Sequence, residues 1–425
     1  MLPIGASAGV YEDRDSQMTR RAYGFAVGLA LAVGLLSWIA SYRLNIPLRD
    51  PDGLAGPSYI RLPLTVLLFF LADVVPRVII TNRGFKNFVP SVKSYTKQRW
   101  TRSRIALVGV GLGSFYIVYV AYRNLKGFLP FVREGLYDTL LARLDRALLF
   151  GHDPATVLHH LLGTGVTAHV LSFVYAAFLF FVPVSLGAAL VWSKNVPTGF
   201  WYITALCINW VLGVASYYWL PSQGPAFANR SLFLDLPDTA VSHGQNALAA
   251  GRARILFDPF ASDGVQSVAA FASLHVSIIF TAALICHYVI PSRWVRWAMW
   301  VYFVLTTLST IYFGWHYLLD DVAGVAIGWI AVWIGAKTTG HPMQVARHRP
   351  QAEDGVVGVF PPRAAGRQDT DIGTEGEARP ARLKTSASPK SRNSWSGRND
   401  STVPDGTSSS DDTASRPGDK GTSSA

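Results

Sequence analysis

Long apolar stretches alternate with short polar or basic segments along most of the chain. A transmembrane helix needs about 20 mostly apolar residues, and eight stretches are long and apolar enough to qualify. This pattern predicts an all-α, polytopic membrane helix bundle with about eight transmembrane helices. The predicted spans are residues 22–41, 62–80, 105–122, 170–192, 199–220, 268–290, 295–313 and 318–334.

Composition agrees with a membrane protein. Half of the 425 residues are hydrophobic and only 15% are charged, a more apolar balance than that of ordinary soluble domains. The two cysteines, Cys207 and Cys286, both fall in predicted spans, so they indicate neither a disulfide framework nor a metal site. The net charge of +11 comes from loops and the tail, which favours lipid headgroups and topology over nucleic acid as its explanation.

Basic residues predict how the chain is oriented. Residues 81–104 carry seven Lys and Arg without an Asp or Glu, which indicates a cytoplasmic segment. Eight spans then place both termini in the cytoplasm and leave residues 123–169, 221–267 and 314–317 on the outer face. The predicted organisation is a cytoplasmic N-terminus at 1–21, two extra spans with the basic loop at 22–103, a six-helix core at 104–337 and a tail at 338–425.

Three segments outside the spans have distinct patterns. Leucines at helical spacing in residues 136–162 predict two short amphipathic helices on the membrane surface. The histidines of this segment are interpreted as interfacial side chains, and no metal site is predicted. Residues 221–267 have no strong period and predict a lid or vestibule. From residue 338 onward the chain loses its apolar residues, which predicts a disordered cytoplasmic tail.

Candidate chemistry lies at three places on the predicted outer face. His316 and Asp320 have the i, i+4 spacing that puts two side chains on one helical face. Alone, this pair is more typical of a histidine that pairs with a local carboxylate at the membrane surface than of a catalytic site. His275, two residues after Ser273, lies inside a predicted span, where an ionisable side chain is costly unless it faces a cavity or a partner. Between Pro221 and Pro225, prolines and a glycine end a helix and expose backbone groups.

Together these motifs resemble the type-2 phosphatidic-acid phosphatase superfamily. They are most similar to its inositol phosphorylceramide synthase-like branch, through Ser-Leu-His at 273–275, Gly-Trp-His-Tyr-Leu-Leu-Asp at 314–320 and the Pro-bracketed turn at 221–225. The resemblance covers residues 105–334. It implies a six-helix phosphatase or phosphotransferase core that acts through a phosphohistidine, and it requires no cofactor and no metal.

The resemblance also implies roles for individual residues. His316 would be the nucleophile, Asp320 the carboxylate that orients it, and His275 the general acid on the leaving group. Ser273 would hold phosphate oxygens near a helix end. Gly224 and Pro225 would form part of the phosphate-binding turn.

Three cations of the broader superfamily pattern are missing. The lysine and arginine of the first motif fall on Tyr217 and Gly224, and the arginine of the third motif falls on Thr310. The synthase-like branch also tends to lack these cations, which favours that branch. We therefore expect the outer loop to supply positive charge to the phosphate, from the arginines Arg230, Arg252 and Arg254.

The sequence leaves three functions open. The protein is predicted to be a phosphatase of lipid phosphates, a transferase that passes a phospho-headgroup to a second alcohol, or a lipid-binding or transport protein without turnover. The expected partners are a lipid phosphate or phospholipid substrate and membrane lipid, and no nucleic acid. Composition favours a multi-pass protein of a bacterial plasma membrane, and the sequence does not indicate an oligomeric state.

Overall fold

A computed structural model describes residues 6–50, 57–82, 84, 87–193, 196–260, 268–341 and 343, with side chains from residue 21 onward except at 196. The tail that is predicted to be disordered lies, from residue 344, outside the described residues. The described residues form thirteen α-helices, one 3₁₀ helix at Arg230–Phe233, and no strand. The α-helices are α1 (Ala6–Leu44), α2 (Ser58–Asn82), α3 (Phe88–Arg99), α4 (Arg102–Val132), α5 (Asp138–Leu148), α6 (Pro154–Leu162), α7 (Val166–Val191), α8 (Val196–Trp219), α9 (Pro225–Ala228), α10 (Ala240–Phe257), α11 (Leu274–Val289), α12 (Arg293–Tyr312) and α13 (Leu318–Thr339).

The prediction of an all-α, polytopic membrane bundle is confirmed. Every predicted span coincides with a helix, and within the described part of the chain six helices are long and apolar enough to cross a membrane by themselves. Of the other two, α11 is apolar but only 16 residues long, and α12 begins with Arg293 and Arg296 in its first turn. The six helices span Arg21–Leu44, Ser58–Asn82, Arg102–Val132, Val166–Val191, Pro197–Trp219 and Leu318–Thr339.

Helix α8 lies at the centre of the bundle. It packs against α1, α4, α7, α11 and α13, and large side chains such as Trp201 are fully buried along it. The Trp201 indole donates a hydrogen bond to the Val332 carbonyl of α13 at 2.9 Å. Asn209 donates to the Thr281 hydroxyl of α11 at 2.9 Å and accepts from the Ser277 hydroxyl. These buried polar bonds fix the register of α8 against the two helices that carry the candidate chemistry.

Glycines let α11 and α13 approach closely. A Cβ added at Gly324 would lie 2.4 Å from the Ser273 carbonyl oxygen, and one at Gly328 would lie 2.7 Å from the Ser277 carbonyl oxygen. Small residues permit such backbone contact between membrane helices. The Ser273 N–H also donates to the Asp320 carbonyl at 2.9 Å, so the N-terminal ends of α11 and α13 lie side by side.

The predicted span at 268–290 is wrong at its start, because helix α11 begins only at Leu274. The Ser273 hydroxyl accepts a hydrogen bond from the Val276 N–H and caps the helix. The preceding residues bond to the end of α8 instead: the Ala270 N–H donates to the Ser222 carbonyl, and the Ala272 N–H donates to the Ser216 hydroxyl, both at 2.9 Å. Five apolar residues therefore form a non-helical connection that the hydrophobic pattern does not distinguish from helix.

Other parts of the chain also differ from the predicted pattern. The segment 221–267, predicted to be a lid or vestibule, contains the 18-residue helix α10, which begins with a capping box between Thr239 and Ser242. The basic loop at 81–104 contains α3, and α4 continues ten residues beyond the predicted end of its span at 122.

The two short helices expected at 136–162 are present as α5 and α6.

We expect Gly324→Ala to destabilise the protein, because the added Cβ meets backbone that cannot move aside. Overpacking of this kind typically costs about 1–3 kcal/mol. Gly109→Ala is the matched control, since a Cβ at that helical position meets nothing within 4 Å. Thermal unfolding in detergent should show a lower midpoint for Gly324→Ala and an unchanged or slightly higher one for Gly109→Ala, because alanine favours a helix over glycine; equal midpoints would contradict the close approach of α11 and α13.

Candidate active site

The loop between α12 and α13 presents His316. Its backbone folds back onto the end of α12, because the N–H groups of Trp315 and His316 donate to the Thr310 carbonyl at 2.9 Å and 3.4 Å. Thr310 occupies the position where an arginine is expected, and its hydroxyl donates to Asp321 at 3.0 Å. Thr310 therefore has a structural role in holding the loop that carries the predicted nucleophile.

The imidazole of His316 is held from one side. It is 5% exposed, and its Nδ1 lies 3.0 Å from the Ala270 carbonyl oxygen and 3.5 Å from Asp320 Oδ2. A carbonyl oxygen only accepts hydrogen bonds, so Nδ1 carries the proton and Nε2 has the free lone pair. The nearer partner is thus a backbone carbonyl, and the carboxylate of Asp320 lies just beyond hydrogen-bond distance.

Burial controls the charge of His316. Burial, assisted by the positive charge of Lys126, lowers the pKa of His316 to about 3, although the Ala270 carbonyl opposes the shift. A histidine whose pKa is lowered loses its proton at a lower pH than usual. The imidazole is therefore neutral at physiological pH, which is the form that can act as a nucleophile.

Asp320 and Asp321 are both buried at the start of α13. Asp320 Oδ2 accepts a hydrogen bond from the Tyr317 N–H at 2.9 Å and so caps the helix. Asp320 Oδ1 has no hydrogen-bond partner among the described residues. A buried carboxylate oxygen without a partner is costly, and this one belongs to the residue that is predicted to orient His316.

Predicted general acid His275 lies in the first turn of α11, beside His316. The two ring centroids are 5.8 Å apart. Tyr175 stacks on the His275 ring at a centroid distance of 4.7 Å, and Phe178 contacts it at 4.3 Å. Ser273, which precedes it, is fully buried, and its hydroxyl caps α11 and bonds to Asp321.

The turn after α8 packs directly against the His316 loop. Gly224 has a φ of +96°, and a Cβ there would lie 2.4 Å from the Trp315 carbonyl oxygen, so both conformation and space require glycine. The Ala226 N–H donates to the Gly314 carbonyl at 2.8 Å. Pro225 begins α9. The structure therefore brings Gly224 and Pro225 next to the loop of His316.

Two carboxylates of α5 connect these elements. Asp138 accepts hydrogen bonds from the N–H groups of Gln223 and Gly224, at 3.0 Å and 2.9 Å, and from the Tyr317 hydroxyl at 3.1 Å. Seven residues later, Asp145 accepts from the first N–H groups of α13, of which that of Leu318 is at 2.7 Å. Burial raises the pKa of Asp145, and these N–H bonds oppose the shift. Helix α5 thus fixes the turn after α8 against the start of α13.

His316 lines two cavities. The larger, of about 430 Å³, has His275, His316, Lys126 and Tyr217 in a wall that is otherwise mainly aromatic and aliphatic. The smaller, of about 360 Å³, is lined by α5 residues that include Asp138, and also by His316. We refer to them as the two-histidine cavity and the α5 cavity.

The arrangement brings together a neutral imidazole, a second imidazole and a buried carboxylate at one end of an apolar helix bundle. A comparison with known protein families gives a match over the part of the chain that contains these residues. Residues 139–334 match the PAP2 superfamily. This is the superfamily of type-2 phosphatidic-acid phosphatases that the motifs resemble, and the match supports a membrane protein of the phosphatase type. No curated protein and no solved structure matches the chain.

The arginines expected to bind phosphate do not line the two-histidine cavity. Arg230 is exposed and donates to Asn246 Oδ1 at 2.7 Å, and Arg254 is also exposed. Arg252 is half-buried in a separate cavity of about 170 Å³, together with Glu134. The structure therefore brings His275, His316 and Asp320 together without these three arginines.

Four residues that contribute to the site were not predicted from the sequence. Ala270 acts through its carbonyl, which has no side-chain signature, and the bonds of Asp138 and Asp145 depend on tertiary contacts. Lys126 did carry a signal, because an ionisable residue within a transmembrane helix usually faces a cavity or a partner. Lys126 was not recognised because the predicted span ended at residue 122. It also precedes residue 139, where the match to the PAP2 superfamily begins.

We expect Asp138→Ala to loosen the site, because three donors lose a charged acceptor at once. Each such bond is worth about 1.5–3 kcal/mol, so a loss of several kcal/mol in the free energy of unfolding is expected. Asp153→Asn is the control: its carboxylate binds Arg146 at 2.9 Å in a partly exposed pair, which contributes about 0–1 kcal/mol. Unfolding in detergent measures both variants, and equal losses would contradict the role given to Asp138.

Proposed function

We propose that the protein is an integral membrane phosphatase or phosphotransferase that acts on lipid phosphates through a phosphohistidine. One observation carries the proposal: His316 faces the same cavity as His275, with its Nδ1 bonded to Ala270 and its Nε2 lone pair free. The PAP2 match supports the phosphatase-type chemistry.

In the proposed first step, Nε2 of His316 attacks phosphorus. A P–N bond forms, and the P–O bond to the lipid alcohol breaks. His275 in its protonated form gives its proton to the departing oxygen, which leaves as a neutral alcohol. The phosphorylated imidazole becomes positively charged, and the carboxylate of Asp320, 3.5 Å from Nδ1, stabilises that charge.

In the second step, His275 acts as a base and takes a proton from the acceptor hydroxyl. The acceptor oxygen attacks phosphorus, the P–N bond breaks, and neutral His316 is regenerated. Water as the acceptor gives inorganic phosphate, and an alcohol gives a new phosphate ester. One pair of histidines therefore serves both a hydrolase and a transferase.

The apolar side chains that line the two-histidine cavity favour a lipid substrate. Tyr175, Phe178 and Leu179 form part of its wall, and three of the helices that line it, α4, α7 and α8, are long and apolar enough to span a membrane. The distribution of basic residues supports an outward-facing site in a cell membrane, with both termini in the cytoplasm. In this proposal the lipid tail lies among apolar side chains, and its phosphate lies between the imidazoles.

Transfer of a phospho-headgroup is the second candidate function. The synthase-like branch of the superfamily tends to lack the three motif cations that are missing here, and His316 also lines a second cavity. The α5 cavity contains the side chains of Arg143, Asp145 and Asp153, which suit a hydroxylated acceptor. The presence of two cavities at His316 favours a reaction with two substrates.

We expect a phosphorylated enzyme to form on His316. Protein mixed with ³²P-labelled lipid phosphate and quenched within a turnover should carry acid-labile label, and His316→Asn should carry none. The asparagine amide can still donate to the Ala270 carbonyl, so folding should be retained. His287→Asn is the control, because His287 lies at the far end of α11 beside Tyr288 and Trp300.

Retained turnover in His316→Asn would exclude the catalytic proposal. Label that forms without any release of phosphate or of new lipid would instead favour a binding or transport protein. Unchanged label in His287→Asn would show that replacing a histidine of the bundle with asparagine does not by itself abolish labelling.

Dependence on the leaving group tests His275. General acids contribute about 10²–10⁴-fold to the rate, so His275→Asn should lose roughly that factor on a lipid alkyl phosphate. The aryl oxide of an aryl phosphate can leave without protonation, so cleavage of that substrate should be much less affected. Phosphoenzyme formation measures the first step for both substrates. An equal loss on both would contradict the role of His275 as the acid.

The acceptor is identified by product analysis. Purified protein is incubated with labelled phosphatidic acid or phosphoinositide, with and without a lipid alcohol, and the products are separated. We expect a hydrolase to release inorganic phosphate from phosphatidic acid, or phosphoinositol from a phosphoinositide, and a transferase to form a new labelled lipid. Release of these water-soluble products without new lipid, at every acceptor concentration, would exclude the transferase alternative.

A further inference from the structure

Helix α4 carries a buried lysine. Lys126 is 9% exposed and lies in a helix that is long and apolar enough to span the membrane. Among the described residues, no carboxylate forms an ion pair with it. A charged side chain in such a place is costly unless it faces a cavity or binds a ligand.

Lys126 faces the cavity of the two histidines. Its side chain lines the two-histidine cavity together with His275 and His316. Its Nζ lies 5.1 Å from the centre of the Tyr217 ring, the residue at which the superfamily pattern expects a lysine. A cation over an aromatic face is held in position without losing its charge to a carboxylate.

The positive charge of Lys126 acts on His316, the predicted nucleophile. After burial, the Lys126 ammonium is the second cause that lowers the pKa of His316. Arg123, one helical turn earlier, lines the same cavity, and its Nη1 contacts the Tyr119 hydroxyl at 3.4 Å. Two cations of α4 therefore line the same cavity as the two histidines.

We propose that the Lys126 ammonium binds the phosphate oxygens of the substrate in the two-histidine cavity, with Arg123 beside it. The assignment of the ligand as a phosphate rests on the proposed function. The cation expected at position 217 thus comes from α4, outside the region that matches the PAP2 superfamily. It replaces the three loop arginines as the source of positive charge.

Binding of orthovanadate, a phosphate mimic, tests this proposal without turnover. Thermal stabilisation of the detergent-purified protein by orthovanadate gives the affinity. Loss of a charged hydrogen bond of about 1.5–3 kcal/mol should weaken binding about 10- to 100-fold in Lys126→Met. Lys126→Arg keeps the charge and should retain much of the affinity.

Lys337→Met is the matched control, because Lys337 also lies over an aromatic ring, that of Trp333 at 3.9 Å, but in an exposed position on α13. It should bind orthovanadate as the wild type does. If Lys126→Met does not fold, Lys126→Gln, which keeps a polar side chain of similar length, replaces it in the same measurement.

The outcomes separate this proposal from the proposed function. Wild-type affinity in the Lys126→Met or Lys126→Gln variant would overturn the role of Lys126, whatever the enzyme activity. If the wild type binds orthovanadate, the Lys126 variants bind it weakly and no turnover occurs, the phosphate site stands and the catalytic function fails. Absence of orthovanadate binding by the wild type would overturn the phosphate site.

Discussion

The carboxylates of Asp138 and Asp145 form the constraint on which the site depends. Helix ends leave backbone N–H groups without partners, and in an apolar bundle these groups must be bonded by the protein itself. Asp138 bonds the turn after α8, and Asp145 bonds the start of α13. Because both carboxylates are on the same short helix, the two loops that flank His316 are fixed relative to each other.

This constraint determines the state of the imidazole. The His316 loop is bonded to the Thr310 carbonyl and packs against Gly224, and its imidazole lies against the Ala270 carbonyl. A neutral carbonyl fixes the tautomer but adds no proton affinity comparable to that of a directly bonded carboxylate. The ring therefore stays neutral, with the carboxyl group of Asp320 at 3.5 Å from its Nδ1.

Sequence patterns predicted most of the fold, because hydrophobic runs and helix positions depend on local composition. All eight predicted spans coincide with helices, and the paired helices α5 and α6 follow from leucines at helical spacing. The apolar run before Leu274 was misleading, since its non-helical path depends on Ser216 and Ser222 of another segment. A hydrophobic pattern has no information on such partners.

For the candidate site, sequence motifs predicted His275, His316 and Asp320 as one group, and the described structure brings them together. The motifs did not predict Ala270, whose contribution is a carbonyl oxygen that every residue possesses. They did not predict Asp138 either, because a carboxylate on an amphipathic helix usually faces solvent. Its role appears only when α5 packs against the turn after α8.

The positions of the missing cations follow from the same contacts. Gly224 cannot be an arginine, because its φ and the nearby Trp315 carbonyl exclude a side chain. Thr310 is short enough to bond Asp321 beneath the His316 loop. The N–H groups of the turn after α8 already have Asp138 as an anionic acceptor, so they have little capacity left for a phosphate. A phosphate near His316 therefore needs a side-chain cation from another helix, and the face of Tyr217 holds Lys126 where such a cation would act. Recognition of an anion depends on where charge lies in space, and a neighbouring helix can supply it when the motif itself does not.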